Sequence, residues 1–314
     1  MLRIFMICPK CKGKNIIKYG RSNHNQLYFC KICKKKITAN PLKNKSYSPQ
    51  VIINAISYYN LGNFLIDTAK KVNRRFKVKV SKSTVHTWIH EFSYICTYHK
   101  IRDKIGHQYP ENIIHEYKFQ HSGLSYNFCY HIPKVDIISR KFPSIVYYLH
   151  SMEKRCPSDI FKENSRCSQL NLDNNIQTKK RYNQACKLSD LALKTCKNNK
   201  ERHHIVEHFM LINDEATIAC EIPVWFWEKN MNEGICGHID LLQIRNGKIY
   251  VLDFKPNAKK EKQSKVISQL YLYARGLSFR TKLPLDMFLC AWFDNESYFE
   301  FSPTQMHRTE INRV

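Results

Sequence analysis

Acidic residues are nearly missing from the first third of this sequence. Over positions 1–100, twenty Lys and Arg stand against two acids, Asp67 and Glu91, so this segment carries most of the formal net charge of +25. A field left unbalanced in this way attracts polyanions, of which nucleic acid is the commonest. A merely solubilising surface would intersperse the two signs. Glycine and proline are scarce too, 9 and 11 in 314 residues, which excludes collagen-like and low-complexity architecture. No apolar run approaches the roughly 20 residues of a membrane helix, and no basic amphipathic helix or lipidation signal is evident, so no membrane partner is expected. The stretch 1–7 is too short for a signal peptide and no small-residue cleavage site follows it. What is present is 43% hydrophobic and 12% aromatic residues, enough for a core and too much for a wholly disordered chain. The length suggests two or three domains at roughly 100–200 residues each.

Cysteine is plentiful, 13 residues, but odd in number and without an export signal. Reduced thiols or metal ligands are therefore favoured over a disulfide framework, and an intracellular protein is expected. Cys8, Cys11, Cys30 and Cys33 form C-x2-C-x18-C-x2-C. Each pair sits on a tight turn that can aim two sulfurs at one point, and four thiolates close a tetrahedral structural site. About 40 residues make too small a core, so the metal would supply folding free energy. Zinc is expected, with iron the alternative this ligand set leaves open. Lys31 and Lys34 to Lys36 surround the second pair and would touch DNA backbone.

From Ser48 the apolar period becomes helical. Ile52, Ala55, Ile56 and Tyr59 form one stripe, Leu65, Ala69, Val72 and Phe76 a second, and Val85, Trp88, Ile89 and Phe92 a third. Pro49 fits a first turn, and Ser83 is read as the N-cap of the third helix. Three short helices with basic connections read as a helix-turn-helix, with Lys82, Thr84, His86 and Thr87 near the end that meets base edges. An ordinary helical packing unit is the alternative. Residues 4–93 resemble the zinc-ribbon and helix-turn-helix front end of certain insertion-sequence transposases, a resemblance that implies DNA recognition and no particular chemistry.

Residues 99–177 say less. A hairpin is expected from 113–119 and 125–131 around His121-Ser122-Gly123, and 151–177 reads as a polar loop or linker. His107, His115, His121 and His131 lack paired ligand spacing and are read as structural or polar histidines. Asn246-Gly247 is more informative, because Asn-Gly favours a two-residue type I′ hairpin. With Arg245 paired to Lys248, Asp240 falls directly opposite Asp253, their Cβ atoms roughly 4.5–5.5 Å apart, and Lys255 shares that face. Two desolvated carboxylates in that position repel, and a hard divalent cation would compensate, Lys255 helping. An Asp253–Lys255 ion pair at a strand end, with Asp240 in water, is the alternative. Glu221, on an apolar strand over 217–226, could add a third carboxylate. A helix is expected over 179–210, with Tyr182, Ala185, Cys186, Ser189, Leu193 and Cys196 on one face. Another is expected over 264–277 with Gln269 and Tyr273 at i,i+4, then a last strand over 285–293.

Glu221-Ile222-Pro223, Gly237-His238-Ile239-Asp240, Asp253-Phe254-Lys255 and Gln269-Leu270-Tyr271-Leu272-Tyr273 together resemble the PD-(D/E)XK nuclease superfamily in its RecB-like branch, over residues 179–295. The resemblance implies an α/β (α+β) restriction-endonuclease-like core, helix–three strands–helix–strand. Catalytic roles fall on Glu221, Asp240, Asp253, Lys255, Gln269 and Tyr273. Mg²⁺ or Mn²⁺ would be held by Asp240, Asp253, the Phe254 carbonyl and Glu221, and hydrolysis of DNA would leave 5′-phosphate and 3′-hydroxyl ends. The branch's upstream ligand falls on His203, His204 or Glu207. Only Cys290 follows the Gln269–Tyr273 helix, so no iron–sulfur cluster is expected, and Cys156, Cys167, Cys186, Cys196, Cys220 and Cys236 read as buried or incidental thiols. Lys259, Lys260, Lys262 and Lys265 could grip phosphates. The expected partition is 1–42 zinc ribbon, 43–98 helix-turn-helix, 99–177 an intermediate region, and 178–314 nuclease-like. Two other functions compete: an inactive DNA-binding or transposon-derived regulator, and a ribonuclease-H-like transposase. The latter needs a strand Asp soon after the helix-turn-helix, where only Glu116 and, off a strong strand, Asp136 are offered.

Overall fold

A computed structural model describes residues 8, 11, 13–22, 25–38, 42, 45–105, 113–172, 176–181, 183–229, 232–306 and 311–313. The chain divides into two compact units, Met1–Lys104 and Ile105–Val314. It is a mixed protein of helices and sheets.

In unit 1, β1 (Ile16–Ser22), β2 (Asn25–Cys30) and β3 (Lys35–Thr38) form an antiparallel sheet. Tyr28, Ile37 and Cys30 are buried with Cys8 on one side of it. Three helices follow: α1 (Pro49–Asn60), α2 (Leu65–Phe76) and α3 (Lys82–Phe92). Ile52, Ala55 and Ile56 of α1, Ala69 and Val72 of α2, and Val85, Trp88, Ile89 and Phe92 of α3 are buried, as their spacing predicts. Pro49 occupies the first turn of α1, whose cap is Ser48. The cap of α3 is Ser81 and not Ser83: Thr84 N–H donates to Ser81 Oγ at 3.1 Å, while Ser83 is already inside the helix. The run Ser81-Lys82-Ser83 offers two hydroxyls, and the extended backbone at Ser81 (ψ 162°) decides between them. A short α4 (His99–Ile105) comes next.

Unit 2 is built on a nine-stranded sheet. β4 (Ile114–His121) and β5 (Leu124–His131) form the expected hairpin, its Ser122-Gly123 turn at φ +51° and +75°. After α5 (Ile132–Ile138), α6 (Pro143–Arg155) and α7 (Ile160–Glu163) come β6 (Ser165–Arg166), β7 (Leu170–Leu172) and β8 (Lys179–Arg181). Then follow α8 (Gln184–Leu193), α9 (Arg202–Asn213), β9 (Thr217–Glu228), β10 (Glu233–Arg245), β11 (Lys248–Phe254), α10 (Gln263–Thr281), β12 (Phe288–Phe293), β13 (Tyr298–Phe301) and β14 (Ile311–Arg313). The sheet order is β4-β5-β9-β10-β11-β12-β13-β8, with β6 alongside β10 and a separate β7–β14 pair. β11 and β12 run parallel, joined by α10; β9, β10 and β11 are antiparallel. Asn246 and Gly247 both have positive φ, +49° and +76°, as a type I′ turn requires.

Three expectations change. Residues 151–177 are not a linker: Met152, Phe161, Cys167, Leu170 and Leu172 are buried in the main core, and Leu172 N–H donates to Ser268 Oγ of α10 at 2.8 Å. Their elements are too short to show a period, and polar neighbours hide them. The segment 99–177 does not stand apart either, because β4, β5 and β6 join the sheet of β9–β11. Finally, the helix expected over 179–210 is a strand and two helices. Asn198, which caps the turn at Asn199–Glu201 through its side chain, breaks it, as the Lys-Asn-Asn-Lys run is poorly helical. Ala185, Cys186 and Ser189 of α8 are buried as predicted, whereas Cys196 lies past its end. Tyr182 and His107 lie outside the described residues.

A candidate metal centre of carboxylates and a four-cysteine cluster

The Asn246-Gly247 turn fixes the register of unit 2. Arg245 pairs with Lys248, Ile244 with Ile249 and Leu241 with Leu252, so the next step brings Asp240 opposite Asp253. On the other side of β10, Ile239 pairs with Ile222 and Leu241 with Cys220, which puts Glu221 opposite Asp240. Three acids thus stand in a row across β9, β10 and β11. Glu221 has φ +51°, a left-handed conformation costing on the order of 1–3 kcal/mol in a non-glycine residue. A strand interior holds such a residue only when the surroundings dictate it.

Helix α9 adds to the row. His203 and Glu207, four residues apart and so on one face, each offer a ligand atom that lies with one of Asp240 within a mutual 4.8 Å. His203 Nδ1 is 3.8 Å from Asp240 Oδ2. His204 falls on a different face and stacks on His208 at 5.8 Å. The sequence left His203, His204 and Glu207 open as the upstream ligand; the structure brings the first and third to Asp240. The i,i+4 spacing was the available signal.

Lys255 Nζ lies 2.8 Å from Asp253 Oδ2, and Asp253 is buried. Asp240 Oδ2 also accepts the Phe254 N–H at 3.0 Å. Burial pushes Glu207 well above the usual carboxylate range, and the charges of Glu221, Asp240 and Asp253 add to it. Burial and then Asp240 push Glu221 up to about 8. Asp253 is raised the same way, by burial first and Asp240 second. Burial would raise Asp240 as well, but His203, Asp253 and Lys255 together bring it below its ordinary value. Lys255 is raised in spite of burial, by Asp253 and Asp240. Four acids therefore face one lysine and one imidazole. The buried Oε1 of Glu207 has no hydrogen-bond partner among the described residues. An orphan oxygen in a nest of oxygen donors fits a hard divalent cation. His203, Glu207 and Asp240 are the residues placed to hold one, with Asp253 and Glu221 beside them.

Gln269 and Tyr273 are both buried, at 8% and 5% exposure, and Gln269 Nε2 donates to Tyr273 OH at 2.9 Å. The Tyr273 hydroxyl is raised by burial first, then by Cys167, Asp253 and Asp240. A Cβ on Gly237 would come within 2.5 Å of the Tyr273 ring, so glycine lets this ring approach β10. The two side chains are buried beside β10 and do not present themselves to solvent. Lys260 is exposed, while Lys259 is held by Glu296 at 2.9 Å.

The described histidines of the middle segment contact other side chains or are buried. His121 and His238 are buried and share a 2.8 Å hydrogen bond, with His121 stacked on Phe161 at 3.9 Å. His115 pairs with Glu153, and His131 is buried. Cys167, Cys186, Cys220 and Cys236 are buried thiols, and Cys156 and Cys196 are half-buried.

In unit 1, Cys8, Cys11, Cys30 and Cys33 converge, their sulfurs all within 4.8 Å of one another. Cys8 Sγ lies 3.5 Å from Cys33 Sγ, and Cys11 Sγ lies 3.5 Å from Cys30 Sγ. Backbone N–H of Cys33 draws the Cys30 thiol down to about 7, and burial with the neighbouring thiols pushes Cys33 up to about 12. This group could hold a metal ion, and four soft thiolates suit zinc. On α3, Lys82, His86 and Thr87 are exposed and Thr84 is half-buried. His86 and His90 lie 2.9 Å apart between their Nε2 atoms. Among the described residues no helix is long and apolar enough to cross a membrane. Searches against protein-family models, curated proteins and solved structures find nothing that matches this chain.

Proposed function

We propose that this protein is a metal-dependent DNA nuclease whose first unit engages DNA and whose second unit hydrolyses a phosphodiester bond. The observation that carries the reading is the row of Glu221, Asp240 and Asp253 across three strands, met by Glu207 and His203 from α9 and by Lys255 at 2.8 Å from Asp253. The order α9, β9–β11, α10, β12 supports a restriction-endonuclease-like core of the PD-(D/E)XK kind.

A bound Mg²⁺ or Mn²⁺ would neutralise the carboxylates, draw charge from a phosphate oxygen and acidify a water. Asp240, Asp253, Glu221, Glu207, His203 and the Phe254 carbonyl are the donors that would hold it. Lys255, its charge secured by Asp253 and Asp240, orients the attacking water and stabilises the charge that grows on the phosphorane oxygens. Gln269 and Tyr273 keep β10 and β11 at the separation the carboxylates need. In unit 1 we read the four cysteines as a zinc ribbon and α1–α3 as a helix-turn-helix. Lys82, Thr84, His86 and Thr87 face the DNA there, and the scarcity of acids supplies the sequence-independent attraction. Lys260 supplies a further phosphate contact near the site.

The test is Mn²⁺-dependent cleavage of single- and double-stranded DNA by wild type, Asp253→Ala and Lys255→Ala. The expected loss in either variant is at least about a hundredfold, the scale of removing one group that stabilises transition-state charge. Equal inertness of all three, with DNA binding intact, would identify a DNA-binding regulator instead.

A further inference from the structure

A cavity of about 270 Å³ opens beside the carboxylate cluster in unit 2. Phe254, which stands between Asp253 and Lys255, forms part of its wall, and Arg202, the neighbour of His203 on α9, forms another part. Anything seated there is therefore next to the proposed reaction centre.

The lining is chemically sorted. Phe254, Pro256 and Leu193 are apolar, Asn199 and Asn295 bring carboxamides, and Lys197 and Arg202 bring positive charge. No acid lines it, in contrast to the cluster next door. Arg202 is half-buried, and among the described residues no hydrogen bond or ion pair engages its guanidinium. Two other arginines of unit 2 are engaged: Arg275 binds Glu228 at 2.6 Å and Arg245 binds Tyr298 OH at 2.9 Å. An unpaired guanidinium in a cavity wall calls for an anion, and its fork suits phosphate. The apolar wall and the carboxamides call for a flat body with polar edges. The volume lies just under the roughly 300 Å³ at which small-molecule sites begin, so one monomer fits and a stretch of chain does not.

We infer that this cavity takes one unstacked nucleotide of the substrate strand, beside the phosphate that is cut. Its base lies against Pro256 and Leu193, Asn199 and Asn295 meet the base edge, and Arg202 and Lys197 hold its phosphate. This rests on the nuclease reading and adds a substrate class to it. A base locked in a duplex stack cannot enter without first being unpaired, so the enzyme prefers single-stranded or frayed DNA to an intact duplex.

Cys196, half-buried, also lines the cavity and supplies a readout that does not depend on activity. Its alkylation in the zinc-loaded protein is followed by peptide mass spectrometry with deoxythymidine 5′-monophosphate, thymidine or inorganic phosphate added at millimolar concentration. The nucleotide is expected to slow alkylation several-fold and the other two to slow it less. Arg202→Ala and, separately, Asn295→Leu should lose that protection while Cys186, buried in α8, stays unreactive and reports an intact fold. No protection by the nucleotide, equal protection by inorganic phosphate, or unchanged protection in both variants would overturn the assignment. The nuclease reading fails on a different result: wild type that cuts neither single-stranded nor duplex DNA with Mn²⁺ present. Asp253→Ala separates the two, since it should lose cleavage and keep Cys196 protected.

Discussion

Unit 1 gathers four thiols from two turns nineteen residues apart; unit 2 gathers four carboxylates from one helix and three strands. Both arrangements bring together groups that repel once ionised. Among the described residues the cysteine cluster has a small core: Tyr28 and Ile37 are buried with Cys8 and Cys30, and Cys11, Ile16 and Cys33 pack against them. In unit 2 the cluster sits on a large core that includes Ile239, Leu242, Val251, Leu270 and Trp292. The first site would build its surroundings, and the second is built by them. Ion removal should therefore dismantle one and only strain the other.

The largest effect follows from that contrast. If the four cysteines hold the proposed zinc, metal chelation or Cys33→Ser should unfold the β1–β3 sheet, because metal binding free energies of about 10–16 kcal/mol in such small modules are also their folding free energies. Proteolysis should then cut within residues 13–38, while the unfolding transition of unit 2 moves little. A β1–β3 sheet that resists protease in the presence of chelator would break the comparison.

Unit 2 gives a smaller and pH-dependent effect. Glu221 has its folded pKa at about 8, raised from about 4.5 by burial and by Asp240. The folded state then binds more protons than the unfolded state between those values, so stability is fullest below about pH 4.5 and declines as pH rises through about 8. Asp253 and Glu207 are raised too and act in the same direction. Metal-free protein should lose on the order of a few kcal/mol in unit 2 stability between about pH 5 and about pH 8. Mn²⁺ at about a hundred times its Kd should return roughly 2.7 kcal/mol at the upper end. Glu221→Gln should flatten the slope, as followed by thermal unfolding at each pH with and without Mn²⁺. A slope that persists in this variant would assign the effect elsewhere.

The same contrast explains what was legible in the sequence. The cysteine site could be read from spacing alone, since each half lies on one turn. The pairing of Asp240 with Asp253 was legible because Asn246-Gly247 allows one register. The opposition of Glu221 to Asp240 was not, because residues 229–232 between β9 and β10 carry no comparable turn signal, and neither was the left-handed backbone at Glu221. The i,i+4 spacing puts His203 and Glu207 on one face, but that this face meets Asp240 depends on how α9 docks on the sheet, which no local pattern states. Residues 151–177 were misread for a related reason: Cys167, Leu170 and Leu172 are buried by contacts with α10, about a hundred residues further on, and Phe161 by His121, Trp225 and His238, not by any period of their own. Long-range packing was the hidden variable in each case.

The smallest effect tests a local feature inside unit 1. Ser81 Oγ accepts the Thr84 N–H at 3.1 Å and lies 2.8 Å from Ser83 Oγ. Replacing a serine cap by alanine removes one satisfied backbone donor and costs about 1 kcal/mol. Ser83 stands within the first turn of α3, where alanine is as good a helix former or better, so Ser83→Ala should change stability by less than about 0.5 kcal/mol. Ser81→Ala should therefore lower the denaturant midpoint of unit 1 and leave that of unit 2 unmoved, while Ser83→Ala leaves both in place. Equal losses from the two would mean that the paired hydroxyls cap α3 jointly. A loss from Ser83→Ala alone would move the start of the helix to the position the sequence suggested. Because α3 carries Lys82, His86 and Thr87 on its exposed side, the proposed DNA-engaging role of unit 1 implies that a frayed first turn weakens DNA binding in step with the stability lost, and a binding titration of the same two variants tests that.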